Sequence, residues 1–267
     1  MRYSAYVPCC NDAATIRDAV ASVLAQTLPP AEVLVIDDAS TDTSLAQLDG
    51  LAIRVVRHER NLGRGAVRAR AMAETREEFV LCCDATNRLP PGFAAAAAPL
   101  FAAERTAAAF GPLADPAPRG AASRWRARHL FRQDEPPRRH TRALLSTYGT
   151  VVRRAAAAAV GGFDAACRAS EDADLGRRLL AAGFDVVLAP ELTVWSNTVN
   201  SAAKVLERYW RWNHAAAGRA ALRGYPRHAW YAWRTMIPQD LRAGDWPAAA
   251  LSAVCPHYCA VRSLLVR

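Results

Sequence analysis

Hydrophobic residues along this chain fall into short continuous runs, and between the runs they recur every three or four positions. Short runs are typical of strands buried on both faces of a parallel sheet, and the wider spacing is typical of amphipathic helices. The predicted strands cover residues 3–8, 33–36, 51–57, 79–83, 107–110, 150–153 and 184–188. The predicted helices include the segment with Ile16, Val20 and Val23 and residues 66–75, 93–104, 154–160 and 171–182. This alternation predicts an α/β fold in which helices flank a mostly parallel sheet.

The alternation of strands and helices is interrupted in two places. Residues 111–149 are rich in proline and arginine, and we predict an excursion or mobile loop there. From residue 201 to 267 the pattern predicts amphipathic helices that carry tryptophans among arginines. We therefore expect a domain over residues 1–200 and a C-terminal helical extension over 201–267. The tryptophans of this extension suit packing against the first domain, which we expect for most of them, or an interfacial helix on a membrane.

The charge of the chain indicates what kind of partner it binds, and its cysteines indicate the compartment in which it works. The formal net charge is +9, and nearly all of the 34 basic residues are arginines. This balance suits an anionic partner such as nucleic acid, a phospholipid surface or a phosphate-bearing substrate. No stretch approaches the roughly 20 apolar residues of a membrane span. Seven cysteines in apolar contexts, with no secretory signal peptide before them, predict reduced thiols in a cytoplasmic protein.

Acidic side chains follow two of the predicted strands and begin one of the predicted helices. Asp37 and Asp38 end the second strand, Asp84 ends the fourth, and Glu171 and Asp172 begin the helix after Ser170. Acids are common at helix N-termini because the helix dipole favours them, which by itself explains Glu171 and Asp172. Ligands bind outside the carboxyl ends of strands in open α/β sheets. Convergence of these acids at one edge would permit metal or ribose binding and general-base catalysis.

The order of motifs resembles the family 2 glycosyltransferases, which are inverting enzymes of GT-A fold. The resemblance runs from about residue 3 to residue 195. The segments that carry it are Val7-Pro-Cys-Cys-Asn11, Asp37-Asp-Ala-Ser-Thr-Asp42, Asn61-Leu-Gly63 with Arg68, Gly161-Gly-Phe-Asp164 and Glu171-Asp-Ala-Asp-Leu175. Each motif is weak alone, but together and in this order they are specific.

The resemblance implies a Rossmann-like nucleotide-diphospho-sugar transferase of the hexosyltransferase type. Asp172 would be the catalytic base that takes a proton from the acceptor hydroxyl. Asp84 opens the family's Asp-x-Asp segment, which holds Mg²⁺ or Mn²⁺ and the diphosphate of the sugar donor. The positions implied to bind the nucleotide sugar are Pro8, Asn11, Asp38, Arg68, Asp84 and Glu171.

Three positions depart from the family pattern. Thr86 stands where the second metal-ligating Asp is usual, Trp195 where many members have a His, and Ala69 where an Asn is common. Hard-cation sites lose affinity with each carboxylate removed. The metal would then be weakly held or dispensable, or the chain would be a degenerate member. Arginines such as Arg153 or Arg88 could share the phosphate charge.

The function expected from these residues is transfer of a sugar from a nucleotide-diphosphate donor to a hydroxyl acceptor. The acceptor would be a surface glycan or a lipid-linked glycan, at the inner face of a membrane with an anionic surface. Acceptor-binding residues are expected in 111–149 and in the C-terminal extension. The alternative is a noncatalytic nucleotide-sugar-binding or scaffold protein of the same fold. Nucleic acid is an unlikely partner because the ordered acids at the strand ends would repel it.

Overall fold

The computed structural model describes residues 1–136, 138–214 and 222–265. The chain divides into two compact units. The sheet unit comprises Met1–Ala114 and Pro136–Thr198, and the helical unit comprises Asp115–Glu135 and Val199–Arg267. Both units are therefore built from two separate stretches of the chain.

The sheet unit is organised around a seven-stranded sheet. Its strands are β1 (Tyr3–Cys9), β2 (Glu32–Asp37), β3 (Arg54–Arg57), β4 (Phe79–Cys83), β6 (Thr106–Phe110), β8 (Gly149–Arg153) and β9 (Asp185–Leu188). They lie in the order β3-β2-β1-β4-β8-β6-β9 and pair in parallel except at β8, which is antiparallel to both β4 and β6. The mostly parallel α/β sheet predicted from the sequence is confirmed.

Helices cover the sheet and bury its apolar side chains. They are α1 (Ile16–Leu24), α2 (Arg64–Glu74), α3 (Phe93–Ala97), α5 (Arg154–Ala159) and α6 (Glu171–Ala181). One core cluster includes Ile16, Val20 and Val23 of α1 with Val7 and Val35 of the sheet. A second cluster places Leu175 and Leu179 of α6 against β6 and β8. The helical spacing of Ile16, Val20 and Val23 is the pattern from which α1 was predicted.

A second, three-stranded sheet of order β5-β10-β7 was not predicted. Its strands are β5 (Asn87–Arg88), β7 (Leu113–Ala114) and β10 (Val194–Ser196). Trp195, noted as a departure from the family pattern, lies in β10 opposite Arg88. Strands of two or three residues are too short to show a hydrophobic period, so the sequence carries no signal for them.

The helical unit contains α4 (Gly120–His129), α7 (Ala202–Asn213), α8 (Tyr225–Tyr231), α9 (Ile237–Arg242) and α10 (Trp246–Leu265). A π-helical turn, Ala232–Met236, joins α8 to α9. Trp125 of α4 is fully buried, and its indole Nε1 donates to Ser252 of α10 at 2.8 Å. Residues Gly120–His129 thus form a helix inside the segment predicted to be a loop or excursion. The loop prediction fails there because packing of Trp125 stabilises a helix of polar composition.

The C-terminal stretch corrects two further predictions. The helix α10 is long and apolar enough to cross a membrane by length and composition, although no such stretch was expected. Its Ala, Leu, Val and Cys residues keep the average apolar, whereas Pro256, His257 and Arg262 interrupt any continuous apolar run. Most tryptophans of the extension were expected to be packed, but Trp210 alone of its five is buried. The other four, which are Trp212, Trp230, Trp233 and Trp246, are more than half exposed.

Candidate active site

Asp38 follows β2 and holds the loop that leads into α2. Its Oδ1 accepts a hydrogen bond from the Leu62 amide at 2.9 Å and lies 2.9 Å from His58 Nδ1. Its Oδ2 accepts from the Gly63 amide at 2.9 Å. The Asp38 side chain is 5% exposed, so these contacts satisfy a carboxylate that has little access to water. The carboxylate therefore fixes the Asn61-Leu-Gly63 segment at the end of the sheet.

Asn11 serves the adjacent turn. Its backbone has φ of 58°, and its side-chain Oδ1 accepts hydrogen bonds from the amides of Thr41 at 2.8 Å and Asp42 at 3.2 Å. Asn tolerates this left-handed conformation better than most residues. The structure thus gives the Asn11 carboxamide a role in closing the loop after β2.

Arg68 of α2 connects two acidic residues that lie far apart in the sequence. Its Nε donates to Glu171 at 2.9 Å, and its Nη2 donates to Asp84 at 3.0 Å. Its Nη1 donates to the Tyr6 hydroxyl at 3.2 Å and the Cys82 sulfur at 2.8 Å. Burial lowers the pKa of the Arg68 guanidinium, but these neighbours raise it well above its usual value. Arg68 is therefore a fully charged side chain in the interior, and it joins the end of β4 to the start of α6.

Glu171 and Asp172 are consecutive but have different surroundings. Glu171 is buried and paired with Arg68, and its Oε2 has no hydrogen-bond partner among the described residues. Asp172 is partly buried, and the amide of Ala173 donates to its Oδ1 at 2.8 Å. Burial raises the pKa of Asp172, the negative charge of Glu171 raises it further, and the Arg68 charge opposes both. Asp172 is consequently a better proton acceptor than an exposed aspartate.

The segment before β8 contacts both Asp84 and Asp172. The Asp84 amide donates to the Tyr148 carbonyl at 3.1 Å. The hydroxyl of the preceding residue, Thr147, donates to Asp172 Oδ2 at 3.5 Å. The charge of Asp84 also raises the pKa of Asp172. These contacts place Asp84 and Asp172 at the same end of the sheet.

A cleft of about 360 Å³ opens beside these residues. It is lined by Pro8, Cys9, Cys10, Asp12, Asp38, Asn61, Gly63, Arg64, Val67, Arg68, Asp84, Ala85, Thr86 and Arg168. Four of the residues predicted to bind a nucleotide sugar therefore lie around one cavity, and they are Pro8, Asp38, Arg68 and Asp84. Asn11, Glu171 and Asp172 do not line it, although Glu171 is bonded to the lining residue Arg68.

A second cavity, of about 620 Å³ and thus larger than the cleft, lies at the amino ends of β2 and β3. Three of its five charged lining residues pair with one another, since Arg54 pairs with both Glu32 and Glu74. Ligands of open α/β sheets bind at the carboxyl ends of the strands. The smaller cleft is therefore the candidate active site.

Two lining residues, Arg64 and Arg168, were missed by sequence reasoning. Arg64 is the first residue of α2, and Arg168 donates to Asn61 Oδ1 at 2.6 Å. Both guanidiniums are exposed beside the cleft, where they could face an anionic ligand. Their positions next to the Asn61-Leu-Gly63 and Glu171-Asp motifs were the available signal.

Arg153 is not available for the phosphate role suggested from the sequence. It ends β8, opposite Phe79 at the start of β4, and so lies at the far end of the sheet from Asp84. Its guanidinium pairs with Glu78 at 2.6 Å and donates to the Phe101 carbonyl at 2.8 Å. Arg88 lies in β5 with a buried Nε that has no partner in the described part of the chain.

The residues around the cleft provide few ligands for a divalent cation. The described residues contain no group of three or more His, Cys, Asp or Glu side chains able to hold a metal. Asp84 Oδ1 accepts a hydrogen bond from Arg68, which leaves Oδ2 as the oxygen that could bind a cation. Thr86 also lines the cleft. One carboxylate supplemented by substrate phosphates is a common arrangement for Mg²⁺. The donor set therefore fits a cation shared with a phosphorylated ligand.

The parallel sheet with a cleft at its carboxyl edge is the architecture of GT-A glycosyltransferases. Residues 4–166 match the model of glycosyl transferase family 2, and the chain belongs to that family. It is a glycosyltransferase, which confirms the resemblance on which the sequence interpretation depended. No curated protein matches the sequence.

Solved structures with this fold are similar over most of the chain. The mannosyltransferase PcManGT from Pyrobaculum calidifontis, in complex with GDP-Man and Mn²⁺, is 17% identical with a TM-score of 0.65, covering 99% of this chain and 87% of that one. S. aureus TarS 1-349 in complex with UDP is 19% identical with a TM-score of 0.58, covering 99% and 88%. GalNAc-T7 with UDP, GalNAc and Mn²⁺ is 16% identical with a TM-score of 0.58, covering 84% and 51%.

Proposed function

We propose that the chain is an inverting glycosyltransferase that uses a nucleotide-diphosphate sugar as donor and a hydroxyl group as acceptor. The observation that carries this proposal is the Arg68 bridge. It ties Asp84, which lines the cleft, to Glu171, which precedes the proposed base Asp172. Solved structures of similar fold contain GDP-Man or UDP, which supports a nucleotide-sugar donor.

In the proposed reaction the acceptor oxygen attacks the anomeric carbon from the side opposite the diphosphate. The new carbon–oxygen bond forms as the bond to the phosphate oxygen breaks, and the diphosphate leaves with that electron pair. Asp172 takes the acceptor proton, which the raised pKa of its carboxyl favours. A positioned base of this kind contributes about 10²–10⁴ in rate. The single displacement inverts the configuration at the anomeric carbon.

Positive charge beside the cleft would stabilise the departing diphosphate. Arg64 and Arg168 line the cleft, and both are exposed residues. Mg²⁺ or Mn²⁺ held by Asp84 and the donor phosphates would supply Lewis-acid stabilisation of the leaving group. Asp38 fixes the loop around the proposed nucleoside pocket and does so with both of its oxygens.

The proposed setting is the biosynthesis of a surface glycan or glycolipid in the cytoplasm, with a lipid-linked acceptor at the inner face of the membrane. The Arg68 bridge from Asp84 to Glu171, the residue before Asp172, favours catalysis over the alternative of a noncatalytic sugar-nucleotide-binding protein. Thr86 stands where the family usually has its second metal-ligating Asp, and this difference is the reason to test the noncatalytic alternative.

A panel of nucleotide sugars scored by thermal shift would identify the donor, because a bound ligand stabilises the fold by RT ln(1 + [L]/Kd). The selected donor is then assayed for hydrolysis and transfer with and without Mn²⁺, using the wild-type chain and Asp172→Asn. We expect turnover by the wild-type chain and donor binding without turnover by Asp172→Asn. Donor binding with no turnover by the wild-type chain in any condition would favour the noncatalytic alternative.

A further inference from the structure

The helical run formed by α8, the π turn and α9 carries an exposed aromatic and basic face, which we define as Arg227, Trp230, Trp233 and Arg234. The Trp230 and Trp233 side chains are 56% and 61% exposed, and their ring centroids lie 5.2 Å apart. The Arg234 guanidinium lies 5.9 Å from the centroid of the Trp230 ring. Two large indoles in contact with each other and with solvent are unusual on a surface that binds nothing.

Positive charge on this run is not neutralised by neighbouring acids. The exposed charged side chains of residues 222–244 are Arg223, Arg227, Arg234 and Arg242. Asp240, the one acid in that range, is fully buried and pairs with Arg128 and His129 of α4. In the described part of the chain no carboxylate forms an ion pair with any of these four arginines. The face therefore presents a net positive charge to solvent.

A second exposed feature lies on α10. Val254, Val261 and Leu264 are each at least half exposed, and they recur at the spacing of one helix face. We call these three residues the apolar stripe. The opposite face of α10 is buried in the core of the helical unit, where Cys255 and Cys259 pack. The stripe is thus a hydrophobic surface that the described residues of the unit leave uncovered.

One hydrogen bond joins the helices that carry the two features. The hydroxyl of Tyr225, the first residue of α8, lies 2.8 Å from Nδ1 of His257, which lies on α10 between Val254 and Val261. The helices α8 and α9 also pack against α10. The aromatic and basic face and the apolar stripe therefore belong to neighbouring helices of one unit.

The buried contacts of α10 indicate that it lies on a surface rather than crossing a membrane. Ser252 accepts from Trp125 of α4, and Ser263 accepts from Trp210 of α7 at 2.9 Å. Arg262 pairs with Glu207 of α7 at 3.0 Å. A spanning arrangement would break these bonds and leave their polar groups without partners in hydrocarbon, at several kcal/mol each.

We propose that the aromatic and basic face, together with the apolar stripe, binds the surface of an anionic phospholipid bilayer. Indoles favour the headgroup level, arginines are attracted to anionic lipids, and aliphatic side chains enter the acyl boundary. A nucleic acid would use the arginines and indoles but has no use for Val254, Val261 and Leu264. This surface supplies the partner for the membrane location proposed above, and its test does not depend on catalysis.

The test is co-sedimentation of the full chain with vesicles of phosphatidylcholine alone or mixed with phosphatidylglycerol. We expect binding to the mixed vesicles only, and weaker binding as salt is raised. Arg227→Ala/Arg234→Ala is expected to weaken partition about thirtyfold, from about 1 kcal/mol for each arginine near an anionic surface. Trp230→Ala/Trp233→Ala and Val261→Ser/Leu264→Ser should each weaken it as well.

The matched control is Arg2→Ala/Arg76→Ala, which removes two exposed arginines from the sheet unit. It should bind the mixed vesicles as the wild-type chain does. Equal loss in this control, or a wild-type chain that stays in the supernatant, would overturn the proposal. Binding of an oligonucleotide instead of vesicles would assign the arginines to nucleic acid, and self-association lost in the tryptophan variant would assign the face to a second copy. Donor-induced thermal shift, measured on every variant, reports separately on the proposed transferase site.

Discussion

The carboxyl group of Asp172 is partly buried and lies next to a second carboxylate, and both features raise its pKa. Asp172 is the general base we propose, and a general base must be deprotonated to act, so its pKa sets the acid side of the pH–rate profile. We expect kcat to fall on the acid side at a pH above the value of about 3.9 typical of aspartate. A pH–rate profile at saturating donor and acceptor measures this.

Glu171→Gln provides the directional check on that profile. Removing the negative charge of Glu171 removes one of the two main causes that raise the pKa of Asp172. The acid side of the profile should therefore move to lower pH in this variant. A profile that moves to higher pH would show that another group limits the rate.

Thr86 is the residue at which metal dependence can be altered. It lines the cleft near Asp84, and a carboxylate there would add a second hard oxygen ligand for Mg²⁺ or Mn²⁺. We expect Thr86→Asp to lower the Mn²⁺ concentration needed for half-maximal activity by several-fold. In Thr86→Asn the new side chain has nearly the same shape as aspartate but no charge. This variant should therefore leave the Mn²⁺ concentration for half-maximal activity close to the wild-type value. Identical behaviour of the two variants would rule out a ligand role for position 86.

The sequence revealed which residue types to examine at the site but not how they are paired. Asp38, Asp84 and Asp172 were predicted because acids after strands and at a helix start match a family pattern. The Arg68–Glu171 ion pair joins residues 103 positions apart, and no local pattern encodes such a contact. Arg64 and Arg168 were missed because an exposed arginine has no periodicity that distinguishes one on a cleft from one on any other surface, so that only their positions next to the motifs could have marked them.

At the scale of elements, the start of α2 is fitted closely against the segment before α6. A Cβ at Gly65 would lie 2.2 Å from the Asp164 carbonyl oxygen and 2.4 Å from that of Cys167. The Gly65 amide also donates to the Cys167 carbonyl at 3.0 Å. This contact positions the chain immediately before Arg168, which lines the cleft.

Gly65→Ala is therefore expected to force these backbones apart and to destabilise the fold by about 1–3 kcal/mol, as overpacking does elsewhere. Donor binding should weaken with it, because Arg168 moves with the displaced segment. Urea unfolding and donor titration measure the two effects. Gly92→Ala is the control, since a Cβ at Gly92 meets nothing within 4 Å, and its effect should stay within about 0.5 kcal/mol. Equal losses in both variants would refute the packing argument.

Elements with continuous apolar runs were predicted, and elements made by tertiary contacts were not. The strands β1, β2 and β4 carry four or more consecutive buried residues. Such a run can be recognised in the sequence without knowledge of the fold. The reversed direction of β8 could not be predicted, because a strand buried on both faces looks the same in either direction. The helix α4 was hidden because its stability comes from the burial of Trp125 by residues far along the chain.

At the scale of the whole molecule, the helical unit is assembled from residues 115–135 and 199–267. Removing residues 199–267 would leave α4 without the helices that bury Trp125. We expect this truncated chain to aggregate, because an exposed tryptophan and its apolar neighbours form a hydrophobic surface patch that favours self-association. The control also replaces 115–135 with a Gly-Ser linker, and gel filtration should show it to be monomeric. Equal solubility of the two truncated chains would show that α4 does not depend on residues 199–267 to bury its apolar side chains.

The position of α4 in the sequence also bears on synthesis at the ribosome. Trp125 and its partner Ser252 are 127 residues apart, so α4 emerges long before the helix that buries it. At roughly 5–20 residues per second, the interval is roughly 6–25 seconds. The sheet unit also incorporates residues 136–198 during that interval, while the tryptophan face of α4 stays open to chaperones. Slow codons after residue 135 would lengthen this exposure and lower the yield of native protein without changing a single amino acid.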